Sequence, residues 1–403
     1  MPPADGYPRL APSRHRRAGP RRPTPSFEGH GMPNLHEDPH PDVYIGGGFF
    51  DPAQIPPIDS EPEQQTASEA VPVPDRQAHD RPDHMSDRHG PDYGWRKGRV
   101  PTALAVMTGI VLVGHSLVPN SVGNPGSLLE TLLPWTGLSV PVLLSAALLR
   151  RSVPAVVATL LVAAVWAAMF GQLFLGGRPD AEPDLTVVTH NVGAANPDPA
   201  GTARTLLAAD PDLVALEEIT DDAMPAYQKV LGRRLTHSVH IGTVALWSRY
   251  PIDDSERVTI DPGWSRSLRA RVQGPGGPLV VYVVHLPSVR VGASGFTIAR
   301  RDRVLTALDQ AVDQERQKKV LLMGDLNGAT TDRGLASLNS RLTSVQDEAG
   351  TGFGFSWPAA FPVARIDHIL TRGVTPTDAW TLPATSSDHR PVAARLKIKS
   401  ERQ

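Results

Sequence analysis

The chain has 403 residues, enough for more than one domain, and 40 Lys+Arg against 42 Asp+Glu, a formal net charge of -2. That balance argues against a dedicated nucleic-acid binder with a basic face. There is no cysteine, which excludes a disulfide framework, a thiolate metal site and a thiol nucleophile.

Residues 1–94 are rich in Pro, Asp, His, Arg and Gln and poor in apolar side chains. Such a segment buries too little surface to offset its ordering entropy, so a disordered cytoplasmic tail is expected. Its basic runs, Arg14-His15-Arg16-Arg17 and Arg21-Arg22, and its His/Asp-rich piece from Asp75 to His89 read as solvated tail. Met85-Ser86-Asp87, shortly before the first apolar run, reads as an alternative translation start.

Composition changes sharply at Val100. Three apolar runs follow, Val100 to Val118, Leu128 to Leu149 and Val153 to Leu175, with no Asp, Lys or Arg in their cores. Each is close to the ~20 residues that cross a bilayer as a helix. Residues 95–176 are therefore expected to form three transmembrane helices. Glu130, His115 and Gln172 lie near run ends, where interface positions accommodate them. Arg96, Lys97 and Arg99 precede the first run, Arg150-Arg151 join the second to the third, and Pro119 to Ser127 has no basic residue. The positive-inside rule then puts the N-terminus and the Arg150-Arg151 turn in the cytoplasm. Three crossings place everything after Leu175 outside the plasma membrane, with Arg178 a minor contrary charge.

A short polar linker, 177–183, leads to a domain over 184–403. Its pattern predicts strands at Leu185–Thr189, Leu213–Leu216, His237–Trp247 (a pair), Leu268–Val272, Leu279–Val284, Val320–Met323, Ile366–Leu370 and Val392–Ile398. Helices are predicted at Ala200–Ala209, Ala223–Leu231 and Thr297–Gln314. Strand-rich halves, each with helices, imply an α+β fold: two sheets face to face with helices outside, a four-layer sandwich.

Polar residues recur at the predicted strand ends. Val320-Leu321-Leu322-Met323 delivers Gly324-Asp325-Leu326-Asn327, so a carboxylate and a carboxamide share one face at i and i+2. Taken alone, this fits any strand ending in a polar turn. The chain adds Thr189-His190-Asn191, Glu217-Glu218, His285 after Val283-Val284, Arg365-Ile366-Asp367-His368, and Ser387-Asp388-His389-Arg390-Pro391. Carboxylate and amide oxygens without Cys select a hard cation such as Mg2+ or Mn2+, and a His with a separate Asp suits activation of water.

This set, in this order, resembles the endonuclease/exonuclease/phosphatase superfamily over about Asp184 to Ile398. The resemblance implies that Asn191 and Glu218 hold the catalytic divalent metal, with Glu217 where the family often has Gln. It implies that Asp325 orients the nucleophile or protonates the leaving oxygen, and that Asn327 and His285 bind the scissile phosphate. His389, oriented by Asp367, becomes general base or transition-state contact, and Asp388 tunes the metal or His389. A membrane-anchored, outward-facing form resembles the VanJ-type proteins of teicoplanin resistance, which implies phosphatase action on polyprenyl pyrophosphates. The expectation is a metal-dependent phosphoesterase acting on a lipid or cell-wall phosphate at the membrane. A surface nuclease, a sphingomyelinase-like phosphodiesterase and a non-enzymatic membrane sensor are the alternatives, nucleic acid being disfavoured by the absence of a Lys/Arg-rich stripe. Arg266, Arg269 and the loop Gly292 to Phe296 are further candidates for substrate selection.

Overall fold

The computed structural model describes residues 92–175, 181–261, 266–292 and 295–398, with side chains from Gly98 onward. The body of the expected tail, the alternative start at Met85, Arg178 and most of the linker lie outside the described residues, as do the Arg96 and Lys97 side chains.

The first part is a helical bundle. It comprises α1 (Asp92–Gly114), a 3-10 turn (His115–Leu117), α2 (Pro125–Leu132), a 3-10 segment (Leu133–Leu138), α3 (Ser139–Leu149), α4 (Val153–Phe170) and α5 (Gln172–Leu175). Among the described residues, Gly98–Leu117, Pro125–Leu149 and Val153–Phe170 are long and apolar enough to cross a membrane. The second span is not one straight helix. Pro134 has no N–H to give and the chain tightens into the 3-10 segment there, so α2 is set apart from α3. Ser152 caps α4, its Oγ accepting from Ala155 N, and Pro154 sits in the first turn where a missing N–H costs nothing. Ala105, Leu112, Leu133, Leu143, Val162 and Phe170 form the bundle core. Leu104, Met107, Ile110, Val142, Val157, Leu160 and Leu161 point outward and are exposed. Helices apolar inside and outside fit lipid rather than water.

The second part contains β1 (Leu185–Asn191), α6 (Pro199–Leu207), β2 (Leu213–Glu217), α7 (Met224–Leu231), β3 (His237–Ile241), β4 (Val244–Ser248), β5 (Ile252–Arg257), β6 (Ser267–Gly274), β7 (Gly277–His285), β8 (Arg290–Gly292), β9 (Gly295–Thr297), α8 (Ala299–Gln314), β10 (Val320–Asp325), α9 (Ala336–Arg341), β11 (Thr343–Ser344), α10 (Val345–Ala349), β12 (Asp367–Arg372), β13 (Val374–Thr381) and β14 (Val392–Ile398). Two six-stranded mixed sheets result, ordered β13-β14-β1-β2-β4-β3 and β11-β12-β10-β7-β6-β5, with β8-β9 a separate hairpin. Their inner faces share one core that includes Val187, Leu213, Leu246, Val281, Val283, Leu321 and Met323. Each such fully buried Val or Leu contributes roughly 1.5–3 kcal/mol. On the outer faces α6 and α7 cover the first sheet, and α8 and α9 the second. The expected α+β sandwich is what the structure shows.

Besides the short β8, β9 and β11, the sequence pattern did not predict β5 and β13, and both are sheet edges. Their sequences, Ile-Asp-Asp-Ser-Glu-Arg and Val-Thr-Pro-Thr-Asp-Ala-Trp-Thr, are polar or carry Pro, and each has a register shift, at Ile252/Asp254 and Pro376/Asp378. Charge, proline and bulges protect an exposed edge and also erase the alternation that announces a strand.

The bundle and the domain meet through loops of the second sheet. The β8-β9 hairpin donates Phe296 N to Gly123 O at 2.8 Å. Arg333, past β10, pairs with Glu130 on α2. Before β12, Trp135 Nε1 donates to Val363 O at 2.8 Å, Trp135 stacks on Phe355, and Phe353 packs edge-on against Trp166, Phe170 and Phe174. The Arg150-Arg151 turn joins the opposite ends of α3 and α4.

Candidate active site

Strand direction and period-2 alternation bring the polar residues together. β1 and β2 are parallel, as are β7 and β10, so each pair ends at the same edge. β12 runs antiparallel to β10 and β14 antiparallel to β1, so they begin there. Leu185 and Val187 face the shared core, so Thr189 and Asn191 continue that face to the rim. By the same count Glu217 follows Leu213 and Ala215, His285 follows Val281 and Val283, and Asp325 follows Leu321 and Met323. In register, Asn191 pairs with Glu217, while Asp325 lies between His285 and Asp367. Gly324 is required next to Asp325: its φ is +139° and a Cβ would fall 2.0 Å from Val284 O.

From the first sheet, Asn191 Nδ2 donates to Asp325 Oδ2 at 3.1 Å, and Asn191 Oδ1 accepts from Gly193 N at 3.1 Å. Glu217 is fully buried; Thr189 Oγ1 donates to its Oε1 at 3.0 Å, and its Oε2 has no partner among the described residues. Burial, reinforced by the Asp367 charge, holds the Glu217 carboxyl well above the usual range. Glu218 just beyond the strand adopts φ +60°, which turns its side chain out to the rim, where Oε2 accepts from Ala194 N at 3.1 Å.

From the second sheet, Asp325 is buried. Oδ1 accepts from Asn327 N at 2.9 Å and Oδ2 from Asn327 Nδ2 at 3.2 Å. Burial raises its pKa to about 7; His389 opposes the rise and Asp367 adds to it. His389 Nδ1 meets Asp367 Oδ2 at 2.8 Å, and its Nε2 faces Asp325 Oδ2 at 3.9 Å. Burial pulls the His389 pKa down, but the Asp367 charge and hydrogen bond overcome it and hold the ring up at about 10. Asp367 is correspondingly lowered against its burial, by His389 and by Ser356. His285 is pushed to about 3 by burial, with the Arg266 and His389 charges behind it. Arg266 Nη1 lies 3.3 Å from His285 Nδ1. A guanidinium only donates, so Nδ1 accepts, and the neutral ring carries its proton on Nε2. That atom faces Glu218 Oε1 at 3.6 Å and Asp325 Oδ2 at 3.8 Å.

Asp325, Asp367 and His389 offer ligand atoms within 4.8 Å of one another. The closeness of two of them is the His389–Asp367 hydrogen bond, so that trio is a relay rather than a metal cage. Glu218 Oε1 and Asp325 Oδ2 both lie near His285 Nε2, at 3.6 and 3.8 Å, and Asn191 stands beside Asp325 at the rim between the sheets. An all-oxygen donor set with anionic carboxylates fits a hard divalent cation such as Mg2+ or Mn2+.

Asn191, Glu218, His285, Asp325, Asn327, Asp367 and His389 thus converge. Asp388 does not join them: it is exposed and its Oδ2 accepts from Trp357 Nε1 at 3.3 Å, touching His389 only through its charge. Arg269 alternates to the helix-side face with Tyr282, where its Nε donates to Glu315 Oε2 at 2.7 Å in an open groove away from the site. Gly292 and Phe296 belong to the hairpin, and 293–294 lie outside the described residues. Three supporting residues received no role from the sequence. Ser387 Oγ donates to Asn191 O at 2.7 Å and accepts from His389 N at 3.1 Å, tying the turn before β14 to the end of β1. Ser356 Oγ accepts from Asp367 N at 3.2 Å, and Trp357 holds Asp388. Ser387 adjoins the Asp-His-Arg-Pro motif and could have been flagged; Ser356 and Trp357 lie in a loop without pattern.

No curated protein matches the chain. Among solved structures it resembles an endonuclease/exonuclease/phosphatase from Bacteroides vulgatus, 15% identical, covering 54% of this chain and 100% of that one, with a TM-score of 0.47. It also resembles D. rerio TDP2 complexed with a single-strand DNA product (21% identical, 53% and 98% covered, TM-score 0.44) and sphingomyelinase C from Streptomyces griseocarneus (21%, 53% and 99%, 0.42). The model of the Endonuclease/Exonuclease/phosphatase family matches residues 188–389, from the strand carrying Asn191 to His389 itself. On that match the chain belongs to the endonuclease/exonuclease/phosphatase family.

Proposed function

We propose that the protein is a membrane-anchored, divalent-metal-dependent phosphoesterase with its catalytic domain outside the plasma membrane, acting on a lipid or cell-wall phosphate, a polyprenyl pyrophosphate of the VanJ-type reaction foremost. One observation carries the lipid part of this reading. The loops beyond β7 and β10 and before β12, which border the site, are the loops packed on the apolar bundle. A phosphate presented at the headgroup plane is then within reach of the site, whereas a soluble polymer gains nothing from that placement.

Glu218 and Asn191, with Asp325 behind them, would hold Mg2+ or Mn2+, which supplies charge neutralisation at the phosphate oxygens when bound. Asp325 sits where it can orient an attacking water and take its proton, its own oxygens fixed by Asn191 and Asn327. His285 Nε2 is a donor for phosphate oxygens, and the Asn327 amide would join it by exchanging its longer bond, to Asp325 Oδ2, for one to the phosphate. His389, kept protonated by Asp367, faces the same space and stabilises charge on the leaving oxygen or donates to it. The basic residues support an outward domain: the domain sits at the end of the bundle opposite the Arg150-Arg151 turn.

The test is metal-dependent phosphate release by the full-length protein from a panel of polyprenyl pyrophosphate, sphingomyelin and plasmid DNA. Release from the first supports the reading. Cleavage of DNA or sphingomyelin with the first untouched replaces the substrate; inactivity on all three with Mg2+ or Mn2+ removes the enzyme reading.

A further inference from the structure

Glu130 is an acid within an apolar span, and it is buried. Its carboxylate is gripped by one residue of the catalytic domain. Arg333 Nε donates to both oxygens at 3.0 Å, Nη2 lies 2.9 Å from Oε1, and the Arg333 backbone N donates to Oε2 at 2.9 Å. The same guanidinium caps the end of the first span, donating from Nη1 to Val118 O at 2.8 Å and from Nη2 to His115 O at 3.1 Å. Thr331 Oγ1 donates to Glu130 O at 2.7 Å, and Ser127 Oγ donates to Asp332 Oδ1 at 3.4 Å. A helix start at a polar interface needs none of this.

The grip leads into the site. Asp332 Oδ2 accepts from Arg301 Nη1 at 2.6 Å, with both side chains fully buried. The same Nη1 donates to Asn327 O at 3.1 Å. Gly328 lets it approach, since a Cβ there would lie 2.6 Å from Nη1. Asn327 holds φ +47°, a left-handed conformation that Asn tolerates better than most non-glycine residues, and the Arg301 bond to its carbonyl helps to fix it there. Its amide reaches Leu286 O and Asp325 Oδ2 at 2.9 and 3.2 Å, so a small turn of this residue moves both the phosphate donor and the Asp325 carboxylate.

We propose that Glu130 of the membrane bundle is a positioning residue for the active site, acting through Arg333 and the Asp332–Arg301 pair on Asn327. The bundle is then part of the catalytic apparatus and not only its tether. The role of Asn327 rests on the phosphoesterase reading above; the mechanical link does not.

Full-length Glu130→Gln, in detergent, is compared with wild type on bis(4-nitrophenyl) phosphate, a soluble diester whose presentation owes nothing to the membrane. The kcat is expected to fall about 10- to 100-fold with KM unchanged, the range a small misplacement produces. Backbone amides of Asn327, Gly334 and Leu335, none bonded to Glu130, are expected to exchange faster with deuterium while those of β10 keep their protection. Glu130→Asp recovers part of the rate. In an Asn327→Ala background Glu130→Gln costs nothing further. If Glu130→Gln does not fold, Arg333→Lys, which keeps the charge and loses the fork, should give the same pattern. Unchanged kcat and unchanged exchange at those three amides overturn the proposal, as does an undiminished penalty in the Asn327→Ala background. If wild type hydrolyses no phosphate ester, the functional reading fails and the exchange measurement alone decides the link.

Discussion

Asn191 Nδ2 donates to Asp325 Oδ2 at 3.1 Å, and the two residues come from facing sheets. Because each lies on the inner face of its strand, the site exists only when the sandwich closes. Asp325 also sees His389 across the gap at 3.9 Å. Asp325→Ala or His389→Ala should lower turnover about 10²–10⁴-fold, the usual contribution of a general acid or base. Circular dichroism should show both variants folded. Turnover near wild type in both would remove this mechanism.

The adjacent acids Glu217 and Glu218 have different fates. Glu217 is buried behind the rim, and burial with the Asp367 charge holds its carboxyl well above the usual range, which favours the neutral acid, so Glu217→Gln keeps the shape and should leave activity and Tm close to wild type. Glu218 is at the rim with an oxygen available to a cation. Glu218→Gln should weaken Mg2+ activation by about 100-fold or more, beyond the 10–100-fold typical even of residues behind a metal's ligands. Titrating activity against Mg2+ in both variants separates them. Equal sensitivity would mean the metal assignment is misplaced.

The His389–Asp367 pair gives stability a pH signature. The folded pKa of His389, about 10, lies above the ordinary 6.5. Its contribution is therefore complete below pH 6.5 and is lost as pH rises through about 10, each pKa unit corresponding to about 1.4 kcal/mol. In EDTA, His389→Gln should melt below wild type at pH 6, and the gap should close by about pH 10. A constant gap across that range would show that the imidazolium is not what the pair stabilises.

Much of the site was legible because strand alternation is periodic. Asp325 and Asn327 share a face by spacing alone, and Gly324 was visible as the residue before them. What sequence could not supply were partners distant in the chain. Glu130 and Arg333 are separated by 203 positions, so an acid that reads as a helix-start residue is instead the buried half of an ion pair. The alternation rule would have sent Arg269 to the face opposite His285, had its parity been counted from Leu268 in the core. β5 and β13 were illegible for a different reason: edge strands carry the polar residues, proline and bulges that suppress the signal.

The orientation rests on Arg99, Arg150 and Arg151 at the end of the bundle away from the domain, together with Arg96 and Lys97 in the sequence. A reporter that works only outside the cytoplasm, fused after Gln403, should be active, and a cytoplasm-only reporter at the same place should be silent. The reverse pattern would put the domain inside and point to an inner-leaflet or nucleic-acid substrate.

The most direct measurement is phosphate release from undecaprenyl pyrophosphate in detergent by the full-length protein, with Mg2+, with EDTA, and with Asp325→Ala. The account predicts release with Mg2+, none in EDTA, recovery when Mg2+ is restored, and loss in the variant. Full release in EDTA, or release undiminished by Asp325→Ala, would contradict it.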